Sequence, residues 1–113
     1  MEDRDVFILE EIIVYCNKII HAVDKHKHQR EDFENDLDFQ EACAFRAIQI
    51  GELVSDLSPL FKNSHSEMPW QNIVAFRNIV THDYGKIDTD KMWDTLVNDI
   101  PKLRKFCEKQ IRT

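Results

Sequence analysis

Glycine occurs only at Gly51 and Gly85 in this 113-residue chain, and proline only at Pro59, Pro69 and Pro101. So few breakers favour long helices over a turn-rich β fold. The apolar spacing agrees. Leu9, Ile12, Ile13, Cys16, Ile19, Ile20 and Val23 recur at helical intervals and predict a first helix from residue 3 to about 25. A second is expected from 31 to about 57, where Pro59 stops it. Ser58 to Met68 reads as a loop. Pro69 to Gly85 reads as a third helix, with Pro69 in its first turn and Gly85 just past its end. A fourth runs from Ile87 to about Gln110, capped by Asp88 or Thr89 and kinked or broken at Pro101. The expectation is an all-α, antiparallel four-helix-type bundle forming one domain over residues 1–113.

No stretch approaches the roughly 18 uninterrupted apolar residues of a membrane span. The acidic start Met1-Glu-Asp-Arg-Asp5 lacks the basic opening and apolar run of a signal peptide. Cys16, Cys43 and Cys107 are odd in number and far apart, as reduced core thiols would be. Together these point to a cytoplasmic protein with no membrane contact. The net charge of −6 is wrong for a general nucleic-acid binder, so any RNA contact must come from a local patch. Lys102, Arg104, Lys105, Lys109 and Arg112 gather near the C-terminus against Glu108 alone, whereas Glu31, Asp32, Glu34, Asp36, Asp38 and Glu41 cluster elsewhere.

Several features carry two readings. Val6, Phe7, Val14 and Tyr15 widen the first helix's apolar face, either as core or as cover for a partner subunit. The acidic cluster suits a helix start, or alternatively a basic partner. His26 and His28 on a polar link fit solvated surface better than metal ligands. His65 is expected to be exposed. Arg46, Gln49 and Glu52 default to the surface, and Gly51 in a helix interior calls for close approach by a neighbouring helix.

The third helix holds the chemistry. Trp70, Ile73, Val74, Phe76, Ile79 and Val80 cover most of its circumference, as in a buried helix, yet it carries Arg77, Asn78, Thr81, His82 and Tyr84. Arg77 offers a planar fork for phosphate, and His82 trades protons near neutrality. That pair suits metal-free RNA cleavage, in which the ribose 2′-OH attacks phosphorus. Asn78 and His82 share a face, whereas Arg77 and His82 lie about 140° apart on a regular helix. Unwinding near Thr81, or a two-fold dimer, would bring the groups together. The structural alternative pairs the Arg and His with acids of the second helix such as Glu52.

Arg77-Asn-Ile-Val-Thr-His82-Asp-Tyr84 matches Arg-x4-His-x-Tyr with Asn after the Arg, and resembles the signature of HepT-like toxins of the HEPN superfamily. Ile50-Gly51-Glu52, Met68-Pro69-Trp70, and Trp93 with Ile100-Pro101 are similar to that family too, so the resemblance covers roughly the whole chain. It implies the toxin of a toxin–antitoxin system: a homodimeric, metal-independent endoribonuclease without cofactor, with Arg77 and His82 catalytic at the dimer cleft and Asn78 supporting. It also implies a minimal nucleotidyltransferase (MNT) antitoxin that can AMPylate Tyr84, adding bulk and negative charge beside the site. The rival expectation is a non-catalytic helical subunit that binds a nucleotide or a nucleotidyltransferase.

Overall fold

A computed structural model describes residues 1–78 and 88–112. Helix α1 spans Asp3–Lys25, as the periodicity predicts, and buries Ile8, Leu9, Ile12, Cys16, Ile19 and Val23 on one face. Lys27 and His28, both at φ 55°, turn the chain out of it. The expected excess of apolar surface divides: Val6 is half-buried and Tyr15 packs partly against the core, while Phe7 and Val14 are exposed.

The second expected helix is two. Helix α2 is Arg30–Glu34 and α3 is Leu37–Asp56. Asp36 breaks them apart, its carboxylate accepting from the Phe39 N–H at 3.1 Å as an N-cap. Gln40 donates its amide to the carbonyls of Phe33 (2.8 Å) and Glu34 (3.2 Å), satisfying the end of α2. Much of the acidic cluster therefore serves helix starts: Glu31 and Asp32 lie in the first turn of α2, and Asp38 in that of α3.

The stretch read as a loop contains helix α4, Pro59–Ser64. Ser58 caps it through Phe61 N–H at 3.1 Å, and Pro59 takes the first helical position. Asp5, 2% exposed, accepts from the N–H and the hydroxyl of Ser58 at 2.9 and 2.7 Å and so ties the start of α1 to this turn. His65 is not the exposed residue expected. It is half-buried, its ring 4.7 Å from Phe61 and 5.3 Å from Phe106, and its carbonyl accepts from the Trp70 indole at 2.9 Å.

Helix α5 is short, Trp70–Val74, and tightens into a 3₁₀ turn over Ala75–Asn78. The rest of the expected third helix, including Thr81, His82, Tyr84 and Gly85, lies outside the described residues. Helix α6, Thr89–Asp94, starts on Asp88, whose carboxylate accepts from Lys91 N–H at 3.2 Å. A π turn, Thr95–Asp99, joins it to α7, Ile100–Arg112. Pro101 has no N–H and its ring crowds the carbonyl four residues back, at Val97, and the wider π turn sits there. The interruption expected at the proline thus takes the form of a π turn just before it.

Helix α1 packs between α3 and α7, with α5 and the 3₁₀ turn against α3. Phe33, Ile50, Met92, Leu96, Ile100 and Leu103 fill the centre. The result is the expected all-α antiparallel bundle. All three cysteines are buried and unpaired by disulfides, and burial pushes the Cys43 and Cys107 thiols up to about 12. Among the described residues, no helix is long and apolar enough to cross a membrane.

Candidate active site

Gly51 determines where Arg77 sits. A Cβ at this position would lie 3.0 Å from the Val74 carbonyl oxygen and 3.1 Å from both the backbone nitrogen and Cγ of Arg77. Only a bare backbone lets the 3₁₀ turn lie this close to α3. The close approach expected at Gly51 is therefore made by the element that carries the candidate catalytic arginine. The 3₁₀ turn matters too. It winds at about 3 residues per turn rather than about 3.6. Arg77 itself therefore sits on a 3₁₀ turn rather than on the expected regular α-helix.

The Arg77 side chain is 43% exposed. Its Nε stands 4.0 Å from a carboxylate oxygen of Glu52, which is 54% exposed. So long a pair, so open to water, contributes little to stability. Of the two sequence readings, burial and neutralisation by Glu52 is therefore the weaker: among the described residues, this long, open pair is the ion pair that Arg77 makes.

Asn78 is exposed and lines a groove of about 640 Å³ between the 3₁₀ turn and the α6–π segment. Asn72, Phe76, Thr95 and Asp99 share that groove. Burial, with Asp94 nearby, raises the Asp99 pKa, while Lys102 and a hydrogen bond from Thr95 oppose the rise. Sequence reasoning missed this groove, since no spacing rule links Asn72 to Asp99 across three turns of differing pitch. His82 and Tyr84, the other two motif residues, lie outside the described residues.

Of the other histidines, His21 and His28 are exposed, as solvated surface would be, whereas His26 is partly buried. His26 stacks on Phe39 at 4.2 Å, and His28 meets Asp24 at 2.8 Å. Among the described residues, no group of His, Cys, Asp or Glu is arranged to hold a metal ion.

Residues 8–110 match the family model described as HepT-like, Ribonuclease HepT-like. Similar proteins include "Putative RNase TTE0752" of Caldanaerobacter subterraneus subsp. tengcongensis, 32% identical over 86% of this chain and 85% of its own length. "Probable ribonuclease HepT" of Thermococcus cleftensis is 36% identical over 70% of this chain and 72% of its own. "Putative RNase MJ1380" of Methanocaldococcus jannaschii is 29% identical over 96% and 98% respectively. No solved structure matches the chain at a comparable level.

Proposed function

The chain belongs to the HepT-like ribonuclease family, and from that premise we propose that it is the toxin of a toxin–antitoxin pair: an endoribonuclease that cleaves RNA without a metal ion. The observation that carries this reading is Arg77, set on a tight turn by Gly51, half-exposed and only loosely paired. In the reaction His82 takes the proton of the ribose 2′-OH. The 2′ oxygen bonds to phosphorus, the P–O5′ bond breaks, and the leaving 5′ oxygen gains a proton. Products are a 2′,3′-cyclic phosphate and a 5′-OH. Arg77 holds the phosphorane oxygens as their charge grows. Asn78 supports the site from the neighbouring position.

The active form is a homodimer with the two motifs across one cleft. Leu37 and Phe45, 62% and 59% exposed, lie on the outer face of α3 with Glu52, the residue beside Arg77. A second copy covering that face would bring its own motif to the same place. In the cytoplasm, an MNT-type antitoxin silences the site by AMPylating Tyr84, which puts an anion where the RNA phosphate must go.

The test is incubation of purified protein with RNA in chelator, beside His82→Ala and Arg77→Lys. Cyclic phosphate ends are expected from the parent protein alone. Arg77→Lys keeps the charge but loses the fork, and a rate loss of about 10²- to 10³-fold is expected. Intact RNA in every lane, from protein whose mass shows no AMP, would leave a non-catalytic partner of a nucleotidyltransferase as the better description.

A further inference from the structure

Helix α7 buries Ile100, Leu103 and Cys107 against α1. On its opposite side lie Lys102, Lys105, Lys109 and Arg112, all exposed. Their spacing of three, four and three keeps them within about 80° of each other, a straight basic stripe about 15 Å long. Arg104 stands apart from it, engaged by Glu108 at 3.2 Å.

The densest run of acids, in α2 and the start of α3, lies elsewhere. A groove lined by Met1, Glu2 and Gln110 sets the start of α1 beside the end of α7. At the far end Arg30 pairs with Asp90 and Phe33 packs on Trp93, so the acidic α2 and the start of α3 lie away from the stripe. Asp99, with Asp94 nearby, stands close to Lys102 at the stripe's inner end. Lys102 follows Asp99 by one turn, and Asp99 shares a groove with Asn78. The stripe thus begins one turn past Asp99, which shares a groove with Asn78, and ends beside Glu2 and Asp5 at the start of α1.

We propose that this stripe is the seat of the RNA backbone: Lys102, Lys105, Lys109 and Arg112 hold phosphates flanking the one that reacts at Arg77. The proposal rests on the ribonuclease reading above. It also answers how a chain of net charge −6 engages RNA, because affinity comes from charge placed along the strand rather than from the total.

The experiment compares Lys102/Lys105/Arg112→Ala with a charge-matched control, Lys18/Lys25/Lys27→Ala, each checked for helical content. Binding is measured to 2′-O-methyl RNA, whose capped nucleophile permits binding without cleavage, across a salt series. Cleavage of ordinary RNA by the same proteins is followed separately. The stripe variant should bind about 10- to 100-fold more weakly and lower the salt slope by about 2, while the control matches the parent. Its KM for ordinary RNA should rise far more than its kcat falls.

If the parent cleaves RNA and the stripe variant binds as well as the parent, the stripe is not the RNA seat, though the ribonuclease reading stands. The stripe would then fit an acidic protein surface instead. Equal weakening in both variants would make the effect one of total charge and overturn the proposal. A parent that neither cleaves RNA nor binds its 2′-O-methyl form would remove both readings together.

Discussion

Gly51 does more at this site than its lack of a side chain suggests. In a helix interior glycine costs about 1 kcal/mol relative to alanine, a cost tolerated here because the 3₁₀ turn lies against its Cα, with Arg77 N and Val74 O both within 3.1 Å of where a Cβ would stand. These neighbours are backbone and cannot rotate away as a side-chain tip would. Gly51→Leu should therefore destabilise the fold by about 1–3 kcal/mol, the usual cost of overpacking, despite leucine's better helix propensity. Urea unfolding measures this directly, and an unchanged midpoint would mean that the turn slides freely along α3. RNA cleavage should fall further than the lost stability explains, because the displaced residue is Arg77 itself. Gly51 was legible in the sequence as a point of close approach, and Arg77 as a chemical group. That the first positions the second was not legible, since it is a contact between elements and leaves no trace in the spacing of either.

At the scale of elements, apolar periodicity located the helices and missed their interruptions. Leu9 to Val23 is a long periodic run and became a helix as read, whereas the fourth expected helix, Ile87 to about Gln110, is α6, a π turn and α7. The break at Asp36 was hidden because one acid in a run of acids looks like any other, and only the bond from Phe39 N–H singles it out. Ser58-Pro59 was legible as a stop and is equally a start, with Ser58 capping α4. The π turn before Pro101 follows from the missing N–H, but its pitch does not follow from sequence. The Asp36 cap is open to test. Asp36→Ala should cost about 0.5–2 kcal/mol, and Asp38→Ala much less, because Asp38 lies in the first turn with no cap bond. Thermal melts of the two variants would separate capping from simple charge, and equal losses would remove the cap as the cause of the break.

Across the molecule, the exposed large apolar residues among those described fall on α1 (Phe7, Val14), α4 (Leu60), the N-terminus (Met1) and α3 (Leu37, Phe45), and the α3 pair is the one that shares a face with a neighbour of Arg77. Leu37 and Phe45 share with Glu52 the outer face of α3, and Glu52 pairs loosely with the Arg77 guanidinium. In the proposed dimer this face is covered, and the acidic monomer gains a second Arg77 at the same cleft. Phe45→Glu tests the idea without touching the core, since 59% of Phe45 is already in water. A carboxylate there would meet its symmetry mate or an apolar partner surface on association, and either is costly. Sedimentation should show the variant as a monomer at concentrations where the parent is dimeric, with helical content unchanged. RNA cleavage should be lost although Arg77 and His82 are intact, and should return in part at high protein concentration. A variant that remains dimeric would place the interface on another face. One that is monomeric yet fully active would show that a single chain focuses Arg77 and His82 unaided.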